Sequence, residues 1–376
     1  MNRGGANYPL VLFLQLYYNV FIITYSYYML SSEQLSSTFA SLSALPLQIQ
    51  EVWAAAEAVD LTAEYSQVKN IIVCGMGGSN LGARLIASAL ADRLAVPIII
   101  NADYDLPAFV NSDSLVILSS YSGTTEETLA ASQPALDSGA KILAITASRE
   151  GNRLQAWAIS NQLPVLAFAT SHNPSNQPRL AIGYSCFALA GLLVKLGLLK
   201  LSSEELQNAL TALTAWGENL TPEHEDNDAK KIANGLVNKQ IILVGGDFLA
   251  GNLHSLRNQI NENAKHFASY LVLPDLNHHA MEGLSKPDSN SQNLIFLFFD
   301  SALYSKRVIE RAKLTKQVVA KNNIAFADIQ LLGKTKLEQS LEVLQLGAWI
   351  TLYLALENDV DPLSIPWVDW FKQQLA

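Results

Sequence analysis

From residue 45 onward the chain alternates short apolar runs with stretches whose apolar residues recur every three or four positions. Runs of the first kind read as buried strands and stretches of the second as amphipathic helices. In chain order the first half gives "NIIVCGMGGSNLGARLIASAL", "PIIINAD", "SLVILSSYSGTTEETL" and "KILAITAS". The second half gives "KQIILVGGDFLAGNLHSLRNQI", "SYLVLP", "NLIFLFFDSALYSKRVIERA" and "IAFADIQL". Such alternation builds an α/β fold with parallel sheets. The same order met twice predicts two doubly wound units related by internal duplication. Between them "LGLLKLSSEELQNALTALTAWGENL" reads as helical and runs into "TPEHEDND", a Pro- and acid-containing loop. The expected domains are therefore 29–220 and 221–376, with an apolar extension at 1–28.

The junctions between strand and helix differ in the two halves. "SSYSGTTEETLAAS" sets Ser120, Ser122, Thr124 and Thr125 between a strand and the helical spacing of "EETLAASQPALDSG", which has acids in its first turn and Gly139 just past its end. Open backbone N–H groups and the helix dipole favour an anion there, although an ordinary N-cap cluster uses the same residue types. Upstream, "VCGMGGSNLGARL" places Gly75, Gly77 and Gly78 after a strand and Ser79 at the opening of a helix, so backbone can approach a ligand closely. No Gly-Lys-Ser/Thr follows, which excludes a P-loop. Asp103, after "PIIIN", keeps a dinucleotide reading open, but two hydroxyl-bearing turns on neighbouring strands suit a compact phosphate monoester better. In the second half these loops become "GGDFLAG" and "FDSALYSKR". One phosphate site per chain is expected, on the first half.

Composition narrows the class. The 376 residues are 49% hydrophobic and 16% charged, enough for sizeable cores and unlike a disordered chain. A net charge of −9 argues against a nucleic-acid binder, while a local ring of donors still suits a small anion. Cys74 and Cys186 are the only cysteines, each in an apolar segment, which fits a reducing compartment and no disulfide framework. Residues 4–32 carry no charge. Three readings stand for this stretch: a membrane anchor, a signal sequence, or a start-site artefact with translation beginning at Met29. The change of character after Leu30, to the amphipathic "SSEQLSSTFASLSALPLQIQEVW", favours the last.

The motifs "GMGGS", "SYSGTTEET", "QPRLAIGYS", "NENAKH", "LPDLNHHAMEG" and "DPLSIPWVDWFKQQL", in this order, resemble those of the bifunctional phosphoglucose/phosphomannose isomerases. The resemblance runs from about residue 30 to the end. It implies two sugar-isomerase (SIS) domains and reversible aldose–ketose isomerisation of hexose 6-phosphates through an enediol. It implies no cofactor, no metal, a cytoplasmic setting and a homodimer in which the histidine often comes from the neighbouring subunit. Membrane association would follow only from a translated extension.

By the same resemblance, Glu262 is the base that moves a proton between carbons 1 and 2, a task suited to a carboxylate whose burial raises its pKa. Lys265 is spaced to pair with it. His278 opens the sugar ring, histidine being able to give and take a proton near neutrality; "NHHAME" departs from the family's usual pattern, so His279 competes for that place. Arg179 stabilises the enediolate as a permanently charged fork, and Lys372 assists ring opening. Gly77, Gly78, Ser79, Ser120, Ser122 and Thr125 hold the 6-phosphate. Two other classes share the fold: the isomerase half of a glucosamine-6-phosphate synthase, which needs an ammonia-producing domain, and a phosphosugar-binding regulator, which usually carries a helix-turn-helix.

Overall fold

The computed structural model describes residues 31–375; the three readings of the N-terminal stretch fall almost wholly outside them. The first sheet contains β1 (Asn70–Cys74), β2 (Ile98–Asn101), β3 (Ser114–Ser120), β4 (Lys141–Ala147) and β5 (Val165–Phe168) in the order β2-β1-β3-β4-β5. The second contains β6 (Gln240–Gly246), β7 (Ala268–Leu273), β8 (Leu294–Asp300) and β9 (Ala325–Gln330) in the order β7-β6-β8-β9. Every strand pair is parallel. The first four strands of each sheet follow one winding, as the repeated pattern predicts, and the chain is an α/β protein with two doubly wound sheets. The central strand β3 is buried at all seven positions, which is why "SLVILSS" shows no alternation.

Two details differ from the pattern. The first sheet has a fifth strand, "VLAF", too short for periodicity to announce it. The helix expected over "EETLAASQPALD" is broken into Glu126–Ala130 and Ser132–Asp137. Pro134 has no N–H to give to the carbonyl four residues back, so the ladder cannot run through.

The helices that frame the two sheets and carry the site are α1 (Ser32–Ser43), α2 (Leu45–Ala58), α3 (Gly78–Ala89), α4 (Ile182–Lys195), α5 (Ser203–Glu218), α6 (Asp228–Leu236), α7 (Ala250–Asn263), α8 (Lys306–Lys321), α9 (Lys336–Glu357) and α10 (Pro366–Leu375). The amphipathic stretch after Leu30 becomes α1, opened by a capping box between Ser31 and Gln34. Among the described residues no helix is long and apolar enough to cross a membrane.

Helix α3 is the seam of the molecule. It packs against α4 of its own half and α7 of the other. Glycine permits both crossings: a Cβ on Gly82 would stand 2.4 Å from the backbone nitrogen of Cys186, and one on Gly251 would stand 2.3 Å from the carbonyl of Arg84. The Gly251 N–H donates to Ser88 Oγ at 3.0 Å across the same crossing. Cys74 and Cys186 are core residues, and burial pushes the Cys74 thiol up to about 12. Both act as small hydrophobes.

Candidate active site

In a doubly wound sheet a ligand binds at the carboxyl ends of the strands where the winding reverses. In the first sheet that point lies between β1 and β3, and both serine-bearing loops leave from there. Gly77 has φ +48° and ψ −129°, a conformation closed to residues with a side chain, and a Cβ there would meet nothing within 4 Å. The turn therefore borders open space, and α3 starts at the next residue. There the Ser79 and Asn80 N–H groups donate to the Met76 and Gly77 carbonyls at 3.0 and 3.1 Å, whereas those of Gly77 and Gly78 are not so engaged among the described residues.

The two loops are tied together. Ser79 Oγ accepts the Tyr121 N–H at 2.9 Å, and Ser119 Oγ donates to the Ser79 carbonyl at 2.9 Å. With its oxygen occupied, the Ser79 hydroxyl keeps its proton for another acceptor. In the second loop Ser120 Oγ accepts the Gly123 N–H at 3.0 Å and pairs with Thr125 Oγ1 at 2.8 Å. Ser122 Oγ accepts from Thr124 N at 3.2 Å. Gly123 (φ +72°) presses on Asn152, whose Oδ1 would lie 1.9 Å from an added Cβ. Asn152 in turn is held by Thr146 and the Ala147 carbonyl. The hydroxyl cluster thus stands on a rigid floor. Asp103 lies exposed beyond β2, its Oδ1 accepting the N–H of Tyr104.

Arg179 joins this crevice to the other half. Pro178 packs against Gly78, 3.5 Å from where its Cβ would be, and begins the short 3-10 turn that carries Arg179. Arg179 is buried, with four hydrogen bonds. Its Nε donates to Asn263 Oδ1 at 2.6 Å and Nη1 to Gln177 Oε1 at 2.7 Å; Nη2 donates to the carbonyls of Pro362 at 2.9 Å and Leu363 at 2.6 Å. Burial lowers its pKa, opposed by the charges of Glu262, Asp361 and Asp369.

Glu262 lies at the end of α7, one residue before Asn263. Burial pushes its carboxyl above the usual carboxylate range, while Arg179, Lys265 and Lys372 pull the other way. No hydrogen bond to its carboxylate is present among the described residues. A partly desolvated carboxylate, ringed by cations yet unpaired, is chemically a base. Lys372 lies on α10, whose described side chains are all exposed, and acts on Glu262 across the gap.

The expected pairing of Lys265 with the Glu262 carboxylate does not occur. Lys265 has φ +48° and has left the helix, so its ammonium turns back to the carbonyls of Glu262 at 2.9 Å and Asn263 at 3.4 Å, and to that of Asp361. His278 stands apart. It is exposed at the end of a 3-10 turn after β7, beside α8, where its neighbour Asn277 bonds Thr315 and Arg311. His279 is also exposed and lies 3.4 Å from Asp275. The structure thus gathers Arg179, Glu262 and Lys372, linked through Pro178 to the first serine loop, and neither histidine is among the charges acting on Glu262.

Residues 225–375 match the model of the bacterial phospho-glucose isomerase C-terminal SIS domain, and residues 64–156 match that of the SIS domain. A bifunctional phosphoglucose/phosphomannose isomerase of Caldicellulosiruptor bescii is 34% identical over 349 residues, 90% of this chain and 98% of the relative. The chain belongs to the bifunctional phosphoglucose/phosphomannose isomerase family. A relative of the same name from Aquifex aeolicus is 29% identical over 84% of this chain and 93% of its own. Among solved structures, tagatose-6-phosphate ketose/aldose isomerase of Escherichia coli superposes with a TM-score of 0.66 at 16% identity, covering 89% of this chain and 96% of that one. At that identity the likeness is one of fold.

Within this family member, the second sheet's corresponding crevice is closed. The Tyr304 ring lies 2.6 Å from where a Cβ on Gly246 would be; its hydroxyl accepts the Gly246 N–H at 2.8 Å and donates to the Phe299 carbonyl at 3.0 Å. An aromatic ring occupies the place that hydroxyls line in the first half. Sequence reasoning missed Asn263, Gln177 and the carbonyls of 361–363 as partners of the site. The asparagines flanking Glu262 were visible, but a backbone carbonyl has no signature in sequence.

Proposed function

We propose that this enzyme interconverts glucose 6-phosphate, and mannose 6-phosphate, with fructose 6-phosphate through an enediol. The observation that carries the reading is Glu262, partly desolvated and unpaired, joined through Asn263, Arg179 and Pro178 to a crevice of hydroxyls and helix N–H groups. The 6-phosphate sits in that crevice on Ser79, Ser120, Ser122, Thr125 and the N–H groups of Gly77 and Gly78. Hydroxyls that bond one another there turn to the phosphate oxygens. Fixed by its tail, the sugar presents carbons 1 and 2 to Glu262, which takes the proton from one and returns it to the other. Arg179 faces the oxyanion that develops between these steps, a charge absent from the ground state. Lys372 serves ring opening from α10.

A coupled assay with each hexose 6-phosphate tests the reading: turnover of both is expected, and turnover of neither overturns it. Ser120→Ala is expected to raise KM by about ten- to a hundred-fold, the worth of a hydrogen bond to a charged group of about 1.5–3 kcal/mol. Its kcat should change far less, because the phosphate is bound alike in ground and transition states. Steady-state kinetics gives both numbers.

We infer that the active form is a homodimer in which His278 of a second copy opens the ring. Its exposure, away from Glu262 of its own chain, supports this. Mixing Glu262→Gln and His278→Ala homodimers under exchange is then expected to restore activity that neither shows alone. Continued inactivity of the mixture places the histidine in its own chain's site.

A further inference from the structure

The segment between α9 and α10 has one backbone anchor that the isomerisation chemistry does not use. We propose that Lys265 is a positioning residue for catalysis: by tying the Asp361 carbonyl to the end of the helix that carries Glu262, it sets where α10, and with it Lys372, stands.

Helix α10 buries none of its described side chains, and Trp367 is 81% exposed, so core packing does not hold it. Its lead-in is held by Val360 and Leu363 against the second core, by Asn358 donating to the Ala264 carbonyl at 3.0 Å, and by its own carbonyls. Arg179 takes those of Pro362 and Leu363, and Lys265 takes that of Asp361 together with the Glu262 and Asn263 carbonyls. The Asp361 side chain turns inward to the Leu363 N–H at 2.8 Å, closing the turn. Beside the Asn358 contact at the start of the segment, the Lys265 ammonium is thus the tie between the final carbonyls of α7 and the residues that lead directly into α10. Lys265 reaches them only because its backbone is left-handed, which aims the stem back across the helix end.

The lysine belongs to the residue types able to make this clamp conditional. Partial desolvation of the ammonium, on a residue that stays exposed, and the nearby Arg179 charge pull its pKa down to about 8, against the charges of Asp361 and Glu262. A neutral amine is a weaker donor to three carbonyls than an ammonium. The clamp should loosen as the pH passes that value from below.

The inference rests on Lys372 acting in its proposed role, and a double-mutant cycle tests the link between the two lysines. Lys265→Met is expected to lower kcat about ten- to a hundred-fold, the scale of a misplaced reacting group, with KM nearly unchanged. Adding it to Lys372→Met should cost little more, because both act through one ammonium. Lys265→Arg, which stays charged, should keep most of the activity and lose an alkaline fall in kcat near pH 8 that the parent shows. Hydrogen exchange should quicken across 359–375 in Lys265→Met and remain as it was in the first sheet. This readout holds even if the variant is less stable. Losses that add in the cycle, unaltered exchange in α10, or an alkaline limb that survives in Lys265→Arg overturn the proposal. Full activity of Lys372→Met overturns it too, whereas full activity of Glu262→Gln strikes only the assignment of the base.

Discussion

Glu262→Gln is expected to lower kcat by roughly a hundred- to ten-thousand-fold, the usual contribution of a positioned acid–base group, while hexose 6-phosphate still binds. The amide keeps the shape of the carboxyl group and loses the ability to accept the carbon-bound proton. Turnover measured beside a binding titration separates the two effects, and near-normal turnover would remove Glu262 as the base. Catalysis by Glu262 needs the ionised form, so kcat should fall as the pH drops through a value above the ordinary glutamate range, in line with the upward push of burial. The stability effect has the opposite sense. A group whose pKa is raised by folding contributes stability that is fully present below its unfolded value and lost as pH rises through the folded one. At neutral pH the ionised Glu262 is thus a liability to the fold, despite Arg179, Lys265 and Lys372 nearby. The glutamine variant should melt higher than the parent at pH 7–8, and the difference should shrink toward pH values below about 4.3, where an unfolded glutamate is protonated. Inactivity with a higher Tm is the combined signature.

Removing Arg179 should have the largest effect on the fold. Arg179→Leu leaves Asn263 Oδ1, Gln177 Oε1 and two carbonyls without their charged donor. Unsatisfied buried acceptors cost about 1–3 kcal/mol each where water cannot replace the partner. With partial access for water, a total loss of roughly 3–5 kcal/mol is expected, read from denaturant unfolding. Activity should fall by about a hundred- to a thousand-fold as the oxyanion loses its cation. Arg179→Lys tells the two roles apart. It keeps the charge but not the fork, so it should recover part of the catalysis and little of the stability, because one ammonium cannot reach partners on three separate segments.

The parts of this architecture legible in the sequence are those written in local residue order. Strands β1, β3, β6 and β8 carry apolar runs at their centres, and the repeated order of strand, turn and helix marks the duplication. The hydroxyl crevice is legible for the same reason, since Ser120 to Thr125 lie within one turn. Strand β5 escapes because four residues after Pro164 make no period, and the break at Pro134 is masked by good helical spacing on either side. The link between Arg179 and Asn263 spans 84 positions and is approached only through motif resemblance. Lys265 departs from expectation for a different reason. Spacing along a helix presumes that the helix continues, and the left-handed backbone at that residue turns its side chain to the carbonyls instead of to the carboxylate.

Tyr304 gives the duplication its meaning. With one mouth filled by a phenol ring, the later half offers no hydroxyl-lined opening there, and on the proposed mechanism it acts instead as a reagent, presenting a carboxylate from the end of α7 to cargo held by its twin. A fused pair of this kind needs no symmetry between its members, so each can drift toward its own task, grip on one side and proton traffic on the other.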